Sequence, residues 1–232
     1  MAEGLDTGAV LDSGDGVTHC IPVCQGFIQE SCVKRLNVAG SHVTHHLIKC
    51  LMLRGYAFNS SADFELVREI KEKMCYVSIN LEKERKLARD TTVLDKEYKL
   101  PDGTTIIIGR ERFEAPEILN NPMLISNEND DMATMIYKSI TECDMNNQKE
   151  LFANVWLSGG TTMIPGMSSR LEQELRKALV EKKGKGDASI LKRVPVVVHD
   201  PPRRKNYVFM GGSYLANFAD DEFYTSRAEY EE

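Results

Sequence analysis

The segment Leu11-Asp12-Ser13-Gly14-Asp15-Gly16-Val17-Thr18-His19 constrains this chain more than any other. An apolar run breaks there into alternating acid and glycine and then resumes as an alternating strand, which is the pattern of a hairpin. Glycines let the backbone fold closely around a bound group and present N–H donors to anionic oxygens. The carboxylates repel phosphate, so a phosphate at this loop requires a cation facing them. A second loop of the same kind, Leu157-Ser158-Gly159-Gly160-Thr161-Thr162, lies far downstream. Either loop alone suits an ordinary tight turn. Together they point to a metal–nucleotide site.

The bulk of the chain agrees with a globular protein that carries such a site. Its 232 residues suffice for one large domain or two modest ones, with 42% hydrophobic and 28% charged residues. Thirty-five acids against 29 bases give a net charge of −6, which argues against a nucleic-acid footprint. No apolar run is long enough to cross a bilayer, and Met1 to Asp6 has neither the basic nor the apolar part of a signal peptide. The six cysteines, Cys20, Cys24, Cys32, Cys50, Cys75 and Cys143, form no C-x-x-C pair. They read as reduced, mostly buried thiols of a cytoplasmic protein.

Periodicity supplies the elements. Residues 8–23 form a hairpin, with Val17, His19, Ile21 and Val23 alternating along its second strand. Val43, Leu47 and Leu51 mark a helix ending near Gly55. A second helix starts near Ser61, with Val67, Ile70 and Met74 inward and Arg68, Lys71 and Glu72 on its surface. Tyr98 and Leu100, Pro101-Asp102-Gly103, then Thr104 to Ile108 make another hairpin. Met132, Met135, Ile136, Ile140 and Cys143 sit at helical spacing. Val155-Trp156-Leu157 is a strand, followed by a helix carrying Met167, Leu171, Leu175 and Leu179, with Ser169 and Glu172 matching a capping box. Lys182 to Asp187 reads as an exposed loop, Val194 to Val198 as a strand, and Gly211-Gly212 as the opening of a last helix. Strands and helices in mixed order indicate α/β or α+β layering.

The residues themselves leave several chemistries open. Asp12, at the hairpin mouth, suits Mg²⁺ held through water, with the amides of Ser13 to Val17 as phosphate donors. The spacing excludes an EF-hand, and no P-loop or G-x-G-x-x-G opening is present. His19 can position or deprotonate a water, or serve as a hydrogen-bonded strand histidine. Ser158 to Thr162 leads into a helix and offers amides to polar ligand groups, or makes a tight connection only. Lys71 and Glu72 can meet a sugar or base, or remain solvated. His42, His45, His46 and Cys50 lie at helical spacing but lack a second metal half-site. Arg203-Arg204-Lys205 is too short for a nucleic-acid patch and suits a pocket rim or protein interface.

Four segments in order and at matching separation make a resemblance plain. They are Leu11 to His19, Arg68-Glu-Ile-Lys-Glu-Lys-Met-Cys-Tyr76, Leu157-Ser-Gly-Gly-Thr-Thr-Met-Ile-Pro-Gly166 and Met210-Gly-Gly-Ser213. From about residue 5 onward the chain resembles the actin family. Arg54 to Asn59, Ser61 to Phe64, Asp200 to Lys205 and the charged insertion before Val194 favour an actin-related protein over conventional actin. The resemblance implies an α/β fold of the actin-like ATPase (ribonuclease H-like) type, its second half, carrying an inserted α+β subdomain. Residues 1–38 and 129–206 would be the third subdomain, 39–128 the inserted fourth, and 207–232 a fragment of the first.

The same resemblance implies roles by position. Asp12 would organise Mg²⁺ (or Ca²⁺), and Ser13, Gly14, Asp15, Gly16 and Val17 would wrap the β- and γ-phosphates of ATP or ADP. His19 would lie near the attacking water, which makes Asp12 and His19 the catalytic candidates. Gly40 would adjoin the nucleotide. Arg68, Lys71 and Glu72 would border the adenosine, with Gly159, Gly160, Thr161, Met163, Ile164 and Lys205 closing its pocket. Ser41-His42 replace the family's usual Arg-Asp, and Ile164 replaces a common tyrosine. The implied partners are actin and the other subunits of the complex that nucleates branched actin filaments, in the cytoplasmic actin cytoskeleton, with no nucleic acid or membrane. The first phosphate loop belongs to an N-terminal half that this sequence does not contain, so weak or no ATP turnover is expected of it alone. Competing readings are a conventional filament subunit, a sugar-kinase-like phosphotransferase and a truncated non-catalytic relative.

Overall fold

The hairpin that opens the chain becomes the middle of a mixed sheet. The structure, a computed structural model, describes residues 4–219 and 224–231; Met1 to Glu3 and the outer limits of the expected first and last segments lie outside them. Strand β1 (Gly8–Ser13) pairs antiparallel with β2 (Thr18–Cys24), in register from Gly8↔Val23 to Ser13↔Thr18. On its other side β1 runs parallel to β7 (Val155–Ser158), which in turn runs parallel to β8 (Val198–His199). Short strands β3 (Phe27–Ile28) and β4 (Lys34–Leu36) both pair antiparallel with β2.

Three helices cover one face of this sheet: α5 (Met132–Glu142), α6 (Met145–Ala153) and α7 (Met167–Ala178). Ala9, Leu11, Val155 and Leu157 are buried beneath them with Met132, Ile136, Ile140, Leu171 and Leu175. The covered face sets the parity of β2. Thr18, Cys20, Pro22 and Cys24 are its buried residues, whereas His19, Ile21 and Val23 stand on the half-covered side.

Between β4 and α5 the chain builds a separate α+β unit. Helix α1 (Gly40–Leu53) buries Val43, Leu47 and Leu51 against Val67 and Ile70 of α2 (Ser61–Met74). A capping box starts α2: the Ser60 hydroxyl accepts from the Asp63 amide, and the Asp63 carboxylate accepts from the Ser60 amide. These bonds hold the Asp63 carboxyl below its ordinary pKa. Helix α3 (Leu81–Asp90) follows, then the expected hairpin of β5 (Lys96–Lys99) and β6 (Thr105–Ile108), and the short α4 (Glu111–Glu114).

Several local expectations are corrected. Helices α3 and α6 have no counterpart in the sequence reading, and α3 buries no residue. The capping box at Ser169 and Glu172 does not form, because α7 begins three residues earlier, after Gly166. Glu172 instead accepts from the Val198 amide (3.2 Å) and pairs with Arg176 (2.6 Å). The exposed loop starts late, since Leu179–Lys183 continue α7 as a π turn. The strand expected over Val194 to Val198 reduces to β8, whose pairing begins only at Val198. The Gly211-Gly212 pair lies inside α9 (Tyr207–Phe218), beside Val10, Val23 and Trp156 of the half-covered sheet face. After the short α8 (Ile190–Arg193) and Pro201-Pro202, a 3-10 turn at Arg204–Asn206 has already begun that helix.

A buried ion pair fastens the α+β unit to the sheet layer. Arg170 of α7 donates to Glu117 (3.0 Å), to the Ser78 carbonyl (2.6 Å) and to Glu174 (2.9 Å). Desolvation pushes the Glu117 carboxyl up, and Arg170 opposes that. The Val77 amide adds a backbone bond to the Pro165 carbonyl (2.8 Å). Removing one member of such a pair leaves the other charged and unpaired. Arg170→Ala is therefore expected to cost about 3–5 kcal/mol of folding stability, measured by chemical denaturation. A loss below about 1 kcal/mol would show that the pair behaves as an exposed one.

Candidate functional site

Strands β1 and β7 run side by side in the same direction, with Asp12 opposite Ser158. Their chains therefore leave the sheet at the same carboxyl edge, where open sheets with parallel strands bind ligands. The loop after β1 closes with the Gly14 amide donating to the Val17 carbonyl (3.1 Å). The loop after β7 winds into a 3-10 turn over Gly160–Met163. They touch through Thr161, whose hydroxyl donates to the Gly14 carbonyl (2.6 Å).

The N-terminus of α1 completes the junction. The Gly40 amide donates to the same Gly14 carbonyl (3.1 Å), and the Ser41 amide (2.8 Å) and hydroxyl (3.0 Å) donate to the Asp15 carbonyl. Only glycine fits at two of these positions. A Cβ on Gly40 would stand 2.6 Å from the Thr161 hydroxyl oxygen, and one on Gly159 (φ +89°) would overlap the Ser13 carbonyl.

These bonds decide where the loop's donors point. In a trans peptide the carbonyl and the following N–H face opposite ways. With the Gly14 and Asp15 carbonyls turned toward α1 and Thr161, the Asp15 and Gly16 amides turn away from them. The amides of Asp15, Gly16 and Val17 donate to no described protein group. Such a row of free backbone donors fits an anion.

The side chains around the loop divide into fixed and free. The Thr18 hydroxyl donates to the Val38 carbonyl (2.8 Å), so in its 2.7 Å contact with Ser13 it must be the acceptor. The Ser13 proton is thus already used, which leaves this site backbone amides rather than that hydroxyl as donors. Asp12 is half-buried and its carboxylate bonds to no described residue, as suits a hydrated cation. His19 stands directly across from Asp12 on β2, half-buried, with Arg35 of β4 on its other side.

Lys71 is placed differently from its expected surface position. Its side chain is buried, and Nζ donates to the Gly40 carbonyl (3.0 Å) and the Thr44 hydroxyl (3.1 Å). Desolvation pulls the Lys71 pKa down, and the Asp15 carboxylate partly restores it. Arg68 and Glu72 of α2 are exposed and line a groove with Glu65 and Pro101, where Arg68 pairs with Glu65 (2.7 Å). Gly160, Met163 and Lys205 are exposed beside the second loop, while Ile164 is buried in the hydrophobic core. The histidine face is otherwise engaged: His42 Nδ1 accepts from the Ala39 amide and His45 Nδ1 bonds the Ser41 carbonyl.

Sequence reasoning missed Ser41, Thr44 and Arg204 as parts of this junction. Arg204 is buried, donating to the carbonyls of Thr162 (2.9 Å), Asp200 (2.9 Å) and Pro201 (3.1 Å), while its own carbonyl accepts from the Gly159 amide (3.1 Å). It clamps the second loop. Its position after two prolines was the available signal, but a basic triplet reads as a surface.

A family model described as Actin matches residues 1–232. The chain belongs to the actin family. It is 48% identical over 233 aligned residues to actin-related protein 2 of Acanthamoeba castellanii, covering 100% of this chain and 60% of that protein. It is 50% identical to actin-related protein 2 of Oryza sativa subsp. indica and of subsp. japonica, with the same coverage. The chain thus spans 60% of the length of these relatives. Its mixed α/β architecture is consistent with the actin-like ATPase fold.

The two glycines of the second loop separate packing from mere turn formation. Gly159→Ala is expected to destabilise the chain by more than about 1 kcal/mol and to detach Thr161 from Gly14. Gly160→Ala meets nothing within 4 Å and should stay within about 0.5 kcal/mol of the unaltered chain. Urea titration of both variants checks this, and equal effects would refute the close approach at Gly159.

Proposed function

We propose that the chain is an ATP-binding actin-related subunit of the actin-related protein 2/3 complex, which nucleates branched actin filaments, with the nucleotide acting as a conformational switch. Its partners are then actin, actin-related protein 3 and the remaining subunits of that complex, in the cytoplasmic actin cytoskeleton. Residues 1–38 and 129–206 are the third subdomain, 39–128 the fourth, and 207–232 part of the first. The observation that carries the nucleotide reading is the junction at Gly14, where both loops and the start of α1 share one carbonyl. The relatives' names carry the assignment to the complex.

In this reading the amides of Asp15, Gly16 and Val17 hold the β- and γ-phosphates, with Ser13 and Gly14 shaping the loop that wraps them. Asp12 holds Mg²⁺ (Ca²⁺ in its absence) through water, and the ion screens the phosphates from both loop carboxylates. His19, across from Asp12, orients a water near the γ-phosphate. Gly40, Arg68 and Glu72 face the adenosine side, with Lys71 holding Gly40 from beneath, and Gly159, Gly160, Thr161, Met163 and Lys205 form the other wall, backed by the buried Ile164. A shift of the loop on loss of the γ-phosphate passes directly to α1 through the Gly14 and Asp15 carbonyls, which supplies the switch.

Titration of the chain with a fluorescent ATP analogue, with and without Mg²⁺, tests this. Binding should require Mg²⁺, and Asp12→Asn should weaken it about tenfold or more, equivalent to about 1.4 kcal/mol. Binding indifferent to both Mg²⁺ and Asp12 would sink the assignment.

A further inference from the structure

Helices α1 and α2 begin with the same kind of bond made by different side chains. At the start of α2 the Asp63 carboxylate accepts from the Ser60 amide, and the Ser60 hydroxyl accepts from the Asp63 amide. At the start of α1 the acceptor is an imidazole, with His42 Nδ1 accepting from the Ala39 amide (3.3 Å). Ala39 has no side-chain oxygen to complete a capping box, so His42 carries this cap alone. The amides just beyond it, those of Gly40 and Ser41, hold the Gly14 and Asp15 carbonyls. First-turn amides have no partner inside their own helix, so what they bond depends on how the turn is held.

The three histidines of α1 differ in what a proton does to their bonds. A carbonyl oxygen only accepts, so His45 Nδ1, 2.8 Å from the Ser41 carbonyl, carries a hydrogen and keeps donating when its ring becomes cationic. His46 Nδ1 is buried and meets no described partner, and burial and the Lys49 charge hold its pKa down. His42 is half-buried and its Nδ1 accepts, so that nitrogen is bare while the cap is made. A proton there turns the acceptor into a donor facing the Ala39 N–H and puts a cation at the positive end of the helix. The charged groups around the turn are Asp15 of the loop, whose Oδ1 would lie 3.4 Å from a Cβ on Gly40, Lys71 of α2 on the Gly40 carbonyl, and Arg35 of β4, beside His19 and bonded to Asn37. Farther out, Arg68 of α2 pairs with Glu65, and Glu111 of α4 pairs with Arg54. Among the described residues only the Ala39 amide bonds the His42 ring.

We propose that His42 is a positioning residue for the loop after β1 and makes that loop sensitive to pH. Neutral, it caps α1, and the Gly40 and Ser41 amides hold the Gly14 and Asp15 carbonyls, which keeps the Asp15 and Gly16 amides turned outward. Protonated, it releases the first turn of α1, and the loop loses the bonds that orient those donors. The bare nitrogen is the one that caps, so the tether is present above the pH range in which histidines titrate, about pH 5 to 8, and is lost as the pH falls through it. An anion on the loop amides in turn favours the neutral ring, because coupling between two binding events is reciprocal. That this anion is a nucleotide rests on the function proposed above; the coupling of His42 to the loop does not.

Nitrogen NMR of the unaltered full chain tests the coupling without a ligand. His42 Nδ1 should carry no hydrogen at about pH 7.5, and the Gly40 and Ser41 amide signals should titrate together with the His42 ring down to about pH 5.5. The variant His42→Asp gives α1 the carboxylate acceptor that α2 already has, and its Gly40 and Ser41 amides should not respond over that range. With a fluorescent ATP analogue and Mg²⁺, the ratio of the two chains' dissociation constants should change about fivefold between those pH values, the effect of one lost cap. Protonation of the analogue itself cancels in that ratio. A hydrogen on His42 Nδ1 at neutral pH, amide signals that do not follow the ring, or nucleotide binding with one pH profile in both chains would overturn the proposal. Amides that follow His42 in a chain that binds no nucleotide would uphold it and sink the nucleotide reading instead. The NMR titration uses the unaltered chain, so a variant that fails to fold does not blunt it.

Discussion

The Gly14 carbonyl oxygen is the point on which the site depends. It accepts from the Gly40 amide and the Thr161 hydroxyl, joining three segments far apart in sequence. Each contact also constrains composition, because Gly40 and Gly159 must lack a side chain for the segments to approach. The free amides of Asp15 and Gly16 are a consequence of this arrangement, since the carbonyls that precede them are fixed on the opposite side. The row of free donors here is thus a property of how the loop is tied down.

The same economy governs the charged residues. Lys71 and Arg204 are buried; Lys71 donates to the Gly40 carbonyl and the Thr44 hydroxyl, and Arg204 to backbone carbonyls next to the second loop. Lys71 steadies the start of α1, and Arg204 steadies the turn after β7. Arg170 does the equivalent for the α+β unit by joining Glu117 and the Ser78 carbonyl. A buried cation of this kind stabilises by satisfying groups that would otherwise be lost from water, rather than by charge alone.

Much of this was legible in the residues. The first hairpin, α1, α2, α5 and α7 follow from apolar spacing, and both loops stand out because glycine and acid alternate where a strand ends. The misses have physical causes. Helices α3 and α6 are short and mostly polar, and α3 buries no residue, so apolar spacing does not mark them. The covered side of β2 depends on which face α5 occupies, and that is a tertiary fact. Lys71 looked solvated because a lysine in a helix usually is; its burial requires the Gly40 carbonyl to lie above it. Arg204 looked like a rim for the same reason.

The separation between the two loops has a kinetic side. Thr161 and Gly14 are 147 residues apart in the chain, and the bond between them closes over the whole α+β unit. Contacts of such range incur their loop-closure entropy before they return any stabilisation, and parallel pairings of this kind form late. The hairpin of β1 and β2 can form early by itself, with its glycine loop present but untethered. The tethered loop, with its amides turned outward, therefore emerges last, when β7 docks.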